Sequence, residues 1–253
     1  MKINIYSLVL AMQGIEFLVL NKRKSKNFES IYYNKRISVK IVYSGFLLSL
    51  AIILNLFSQR FLTFPLVSFL KFDLTIIIFM IAFIKLNLKW TTLLIFLLAI
   101  IAPSYSNQGY EIISLFGQFI QSITHFIFVL FFALYINIFN KKCFKLAYLI
   151  LIKFLTIFST TFSLIILNMF IFTPIYLTLF KINGNEFVYI NYLNNYENWN
   201  KIKGLFLGIN NYFLAVFVIY LLFNTINLTI NSLLVFRIIQ INARTNFINK
   251  ITN

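Results

Sequence analysis

The chain has a single histidine, a single cysteine and only six acidic residues among 253. The lone Cys143 excludes an internal disulfide. His125 and Cys143 alone cannot build a zinc site of the usual kind. No G-x-x-x-x-G-K-S/T occurs, so the chain has no P-loop with which to hydrolyse ATP. H-E-x-x-H and G-x-S-x-G are missing as well, which leaves no nucleophile or metal cluster for an intramembrane enzyme. Four of the acidic residues, Glu16, Glu29, Glu186 and Glu197, fall in tails or in a polar loop. Paired carboxylates inside a span, which mark many proton-coupled carriers, are therefore not found. Neither an enzyme nor a cofactor is expected.

Charged residues make up 11% of the chain, against about 25% in an ordinary soluble domain. Hydrophobic residues make up 60%. A soluble protein of this length needs a more polar exterior than that, and the apolar runs are too long for core helices. The solvent must be lipid. The net charge of +16, from 22 Lys and Arg against 6 Asp and Glu, is better explained by basic anchors on one side of a bilayer than by nucleic acid. The expected partner surface is the lipid bilayer, with no nucleic acid.

Six apolar runs are legible: about Ile41–Phe57, Phe72–Ile84, Trp90–Ala102, Ile112–Phe139, Leu146–Pro174 and Tyr212–Ile239. The fifth is expected to end or kink at Pro174, which has no N–H to give. The second and third are short for a bilayer core, which needs about 20 residues, and they read as tilted, extended by their flanks or re-entrant. Residues 1–36 read as a basic N-terminal segment that could include an interfacial helix, 37–240 as one six-helix membrane domain, and 241–253 as a short tail. Six spans put both termini on one side. The tails and even loops hold 16 Lys and Arg, the odd loops 5, which predicts cytoplasmic termini. The expected class is an all-α integral membrane protein of the cell membrane.

Polar residues within these runs fall at helical spacing. Ser114, Gln118, Gln121, Ser122 and His125 make one stripe on the fourth span. Tyr220, Asn224, Asn227 and Asn231 make another on the sixth, and Thr156, Thr160 and Ser163 a third on the fifth, with Thr161 and Asn168 one face over. Such amides either bond helix to helix or fix the edge of a neutral heterocycle, since each both donates and accepts. The predicted topology gathers Gln118, Asn168 and Asn224 in the outer half, with Asp73 and Tyr176 at the outer ends of their spans. His125 reads as a neutral, packed histidine, and Lys153 as a residue that snorkels to the interface.

Four segments resemble one family. Leu70-Lys71-Phe72-Asp73-Leu74-Thr75 looks like an apolar-Lys-x-Asp-x-S/T start to a second helix. Gly117-Gln118-Phe119-Ile120-Gln121 looks like a Gly-Glu-x-x-Asn start to a fourth. Asn168-Met169-Phe170-Ile171-Phe172-Thr173-Pro174-Ile175-Tyr176 is similar to an Asn-x5-Pro-x-Tyr end of a fifth, and Leu222-Phe223-Asn224-Thr225-Ile226-Asn227 to a Pro-Phe-Asn-x-x-Lys run in a sixth. In this order they resemble the S components, or substrate-capture subunits, of energy-coupling factor (ECF) vitamin transporters, the riboflavin type most of all.

The resemblance covers about residues 38–240. It implies capture of a vitamin-like heterocycle, riboflavin first, and partnership with an ECF transmembrane coupling subunit and two ATPase subunits. It implies a substrate site among Asn168, Asn224, Asn227, Gln118, Gln121, Asp73 and Tyr176, and a partner interface at Gly45 and Ser49. The family's Lys in helix six is Asn227 here, and the preceding Pro is Leu222. A structural or assembly subunit without ligand and a self-sufficient ion-coupled carrier are the alternatives.

Overall fold

The computed structural model describes residues 37–106, 108–139, 146–180 and 199–245. The expectations for 1–36, for most of the polar loop after Lys181 and for the last eight residues fall outside the described part. Its helices are α1 (Ile37–Phe61), α2 (Thr75–Lys85), α3 (Leu88–Ile101), α4 (Ile112–Phe139), α5 (Leu146–Leu167), α6 (Thr173–Leu179), α7 (Trp199–Ile202) and α8 (Tyr212–Thr245). Among the described residues the one extended pairing is an isolated bridge between Thr63 and Lys71.

Five helices are long and apolar enough to cross a membrane: Ile37–Phe61, Leu88–Tyr105, Ile112–Phe139, Ile150–Leu179 and Tyr212–Ile238. Their lipid-side faces are apolar, as the exposed Phe154, Phe158 and Phe162 on one face of α5 illustrate. The third run reaches span length because a 3-10 turn, Ala102–Tyr105, extends it past Pro103. The second does not. Its 11 residues rise about 16 Å at 1.5 Å each, roughly half of a 30 Å hydrocarbon core. The last helix continues to Thr245, beyond the point at which a tail was expected to begin.

Helix α2 is the centre of the bundle. Residues Thr75 to Met80 and Ala82 are all buried. They pack against Leu47 and Ala51 of α1, Leu94 and Leu98 of α3, Phe128 and Val129 of α4, and Leu228 and Val235 of α8 in one core cluster. A helix apolar on every side has to be enclosed by protein or lipid on every side. The turn to α3 places Asn87 at a φ of 113° and a ψ of 176°, outside the left-handed helical well and in a region otherwise used mostly by glycine. Its side chain accepts from Trp90 N (3.2 Å) and so caps α3.

The other end of the bundle, here the upper end, collects the C-termini of α1, α3 and α6 with the N-termini of α4 and α8. Segment 62–72 folds across it. Phe64 N donates to Leu70 O (2.8 Å) and Phe72 N to Leu62 O (2.7 Å), while Phe64 and Val67 join Trp199, Phe206, Tyr212 and Val216 in a second core cluster.

The helix expected to stop or kink at Pro174 does not stop there: the helical run continues to Leu179. A π-helical turn, Asn168–Phe172, sits between α5 and α6. There the N–H of Thr173 bonds Asn168 O, five residues back. Met169 O loses its usual donor to that shift, and Pro174 has no N–H to replace it. The hydroxyl of Tyr212 donates to Met169 O at 2.7 Å. The proline is accommodated because another helix supplies the missing hydrogen bond.

Candidate functional site: a polar node at mid-depth beneath an aromatic cluster

The three stripes face inward. Gln118, His125, Thr156, Thr160, Thr161, Asn168, Asn224, Asn227 and Asn231 are all buried. Gln121, Ser122 and Tyr176 are half-buried.

The stripes of α4 and α8 meet around the start of α2. Asp73 is buried. One of its carboxylate oxygens accepts from the backbone N of Thr75 (2.9 Å) and from the Thr75 hydroxyl (2.7 Å). The other contacts Nε2 of His125, and that nitrogen also lies 2.9 Å from Thr75 Oγ1. The Gln121 side chain lies beside the same carboxylate. His125 packs its ring against Phe79, with centroids 4.8 Å apart.

The backbone at this point is bonded with equal care. Asp73 N donates to Asn227 Oδ1 (3.0 Å), Leu74 N to Ser58 Oγ (3.2 Å), and Asn231 Nδ2 to Asp73 O (2.6 Å) and Asn227 O (2.8 Å). A helix end leaves its first N–H groups without helical partners. In lipid each unsatisfied group costs several kcal/mol. Ser58, Asp73 and Asn227 take up three such groups at or just before the start of α2. The negative carboxylate also suits the positive end of that helix.

Position along the helices gives the depth. His125 is 13 residues from Ile112 and 14 from Phe139, so it sits about 20 Å from either end of α4. Asn227 and Asn231 straddle the middle of α8. Asp73 therefore lies at the middle of the bundle, not at the outer end where its place in the sequence put it. The physical reason is that α2 begins halfway down, with 62–72 forming the cover above it.

One to two turns higher lies a different environment. Phe72 and Phe223 stack with centroids 5.7 Å apart, and Phe64 meets both edge-on at 5.5 Å. Asn224 follows Phe223, and its buried Nδ2 has no partner. The hydroxyls of Thr160 and Thr161 are likewise buried and unpartnered. Helical Ser and Thr elsewhere, among them Thr91, Thr92, Ser122, Thr124, Thr156 and Thr178, bond a carbonyl four residues back. Asn168 spends its amide on Leu164 O (2.7 Å), within its own helix. Thr173 Oγ1 and the Tyr220 hydroxyl are 3.3 Å apart. Tyr176 is held between Phe116 and Phe180. A Cβ on Gly117 would stand 2.7 Å from its hydroxyl, so any larger residue there requires the Tyr176 side chain to shift.

Asp73, Gln121 and Asn227 thus come together in the lower node. Gln118 and Asn224 sit one turn above it, and Asn168 and Tyr176 belong to the π-turn and α6. Gly45 and Ser49 are exposed on α1. Ser49 bonds Gly45 O, and the space over Gly45 is open. Sequence reasoning left out His125, Thr75 and Ser58 as partners of Asp73, and Tyr212 as partner of the π-turn. One signal pointed to the first: the chain's single histidine and the single carboxylate of its apolar runs each need a partner in lipid. Among the described residues no three His, Cys, Asp or Glu side chains gather to hold a metal. No protein-family model matches the chain, and no curated protein and no solved structure is matched by it either.

Proposed function

We propose that this chain is a six-span S component with cytoplasmic termini. It captures a small, flat, uncharged heterocycle at its upper end, with riboflavin the first candidate. A separate transmembrane coupling subunit and two ATPase subunits then power delivery inward. The observation that carries the reading is the Asn224 amide, buried with a free Nδ2 at the helical level of the Phe72–Phe223 stack. A buried donor without a partner is costly in the empty protein, and a ligand carbonyl or ring nitrogen removes that cost. Aromatic faces with one or a few aimed polar groups are the usual make-up of a small-molecule site. The exposed Gly45 and Ser49 on α1 suit close approach by a helix of the coupling subunit.

Asn227 and Asn231 stand apart from this ligand set. Their polar atoms hold the start of α2, which favours a structural role for that part of the α8 stripe.

Four measurements test the reading. Purification from a host expressing candidate coupling and ATPase subunits should recover them with the chain, and mass spectrometry of the detergent-purified protein should find a retained heterocycle. Asn224→Ala should then weaken binding of that molecule by about 5- to 150-fold, equivalent to about 1–3 kcal/mol. Uptake of substrate into liposomes by this chain alone, driven by an ion gradient, refutes the proposal in favour of a self-sufficient carrier.

A further inference from the structure

The fold divides the charge of the chain unevenly between its two ends. Segments 1–40, 85–89, 141–145 and 237–253 adjoin the lower end, at the starts of α1, α3 and α5 and the ends of α2, α4 and α8. They hold 16 Lys and Arg against 2 acidic residues, Glu16 and Glu29. Segments 60–71, 104–111 and 181–210 adjoin the upper end and hold 5 Lys and Arg against 3 acidic residues. Lys153 and Asp73 lie within the bundle. Two carboxylates cannot neutralise sixteen cations, whichever of them they pair with. The lower end therefore attracts anions from outside the chain.

Three of these cations stand at the lower margin of the core formed by α1, α2 and α3. Lys85 is the last residue of α2, Lys89 the second of α3, and Lys40 lies in the opening turn of α1. Leu86 belongs to the buried core cluster, and Tyr43, Leu88 and Trp90 pack against it. Lys40 precedes Tyr43 by about one helical turn. Lys89 is exposed, and Lys40, Lys85, Tyr43 and Trp90 are half-buried. A lysine stem lies along apolar surface while its ammonium reaches the polar layer. Tyr and Trp rings, part apolar and part polar, settle at the level of the lipid headgroups. The three ammonium groups thus stand where a phospholipid presents its phosphate.

We propose that Lys40, Lys85 and Lys89 form a docking site for the headgroup of an anionic phospholipid at the lower end of α2. The upper end of that half-membrane helix is held by side chains of α1 and α8. One headgroup bound across the three lysines ties its lower end to α1 and α3. The acyl chains lie along the exposed apolar surface of those two helices, which includes Val42, Phe46, Leu93 and Phe96. The inference does not depend on which molecule the protein carries, nor on which side of the membrane the lower end faces.

The test titrates the full chain in detergent with phosphatidylglycerol, or with phosphatidylcholine of the same acyl chains. Native mass spectrometry reads binding, and melting reads stability. Phosphatidylglycerol should bind and raise the melting temperature, as a ligand of the folded state does, and phosphatidylcholine at the same concentration should do neither. A basic residue close to an anionic lipid contributes about five-fold in affinity. Lys89→Gln, at an exposed position, should weaken phosphatidylglycerol binding by about that factor, and Lys40→Gln, Lys85→Gln and Lys89→Gln together by about 100-fold. Melting in phosphatidylcholine shows which variants are folded, and Lys89→Gln decides the matter if the triple variant is not. Arg60→Gln combined with Lys71→Gln, at the upper end, should leave binding unchanged. Equal stabilisation by the two lipids overturns the proposal, as does unchanged affinity in Lys89→Gln. An equal loss in the upper-end variant assigns the attraction to overall charge, and equal stabilisation by inorganic phosphate assigns it to any free anion; either result overturns the site.

Discussion

Removing one oxygen atom from Tyr212 tests the account of the π-turn. Tyr212→Phe keeps the ring, which is fully buried between Trp199 and Phe213, so no cavity of consequence opens. It deletes the donor to Met169 O. That carbonyl has no helical substitute, because Thr173 N is committed to Asn168 O and Pro174 has no N–H. A buried carbonyl left bare costs about 1–3 kcal/mol. Hydrogen bonds between membrane helices measure lower, averaging about 0.6 and reaching about 1.7 kcal/mol. The expected loss is therefore about 1–2 kcal/mol. At roughly 2–4 °C per kcal/mol for a chain of this size, melting in detergent should fall by about 2–8 °C. Pro174→Ala supplies the discriminating background. It restores an N–H within reach of the freed carbonyls, so Tyr212→Phe should cost much less there, with a coupling of about 1 kcal/mol between the two sites. Equal costs in the two backgrounds, or unchanged melting in Tyr212→Phe alone, would refute the idea that Tyr212 replaces the donor lost at the proline.

Two more outcomes follow from close contacts. Gly117→Ala puts a Cβ 2.7 Å from the Tyr176 hydroxyl and should lower stability by about 1–3 kcal/mol, as overpacking does, read as a drop in melting temperature; Tyr176→Phe in the same chain should recover most of it, because the hydroxyl is the atom that clashes. Asn227→Leu takes the acceptor from Asp73 N and should destabilise by about 1–3 kcal/mol, while leaving the affinity of a retained ligand nearly unchanged in the fraction that stays folded. A large affinity loss there would move Asn227 from the structural node into the ligand site.

The reach of sequence reasoning differed from element to element for physical reasons. The fourth run, Ile112–Phe139, is helical throughout and begins where expected, because Glu111 marks its start and nothing interrupts its 3.6-residue pattern. The inward stripes on α4, α5 and α8 were legible for the same reason. The depth of Asp73 was not. An apolar run of about a dozen residues reads alike whether it starts at a membrane surface or halfway through, and it is the side chains of Ser58, Asp73, Asn227 and Asn231 that satisfy the backbone of the deeper start. The path through Pro174 was hidden likewise, since the rescuing hydroxyl lies 38 residues further on at Tyr212. The pairing of His125 with Asp73 needed that depth to be known: placed at an outer end, the carboxylate is out of reach of the histidine.

The short α2 has an architectural consequence. Above its first turn the bundle has no sixth helix, and the gap is closed by the segment 62–72, which ties itself together through a few backbone bonds such as Phe64 N to Leu70 O and Phe72 N to Leu62 O. Helix walls resist change because altering one shifts its packing along its whole length. A surface connection tolerates insertion and substitution far better. The aromatic cluster of Phe64, Phe72 and Phe223 thus lies under the part of the scaffold that tolerates substitution best, while the helices and the polar node beneath it are held by packing along their length.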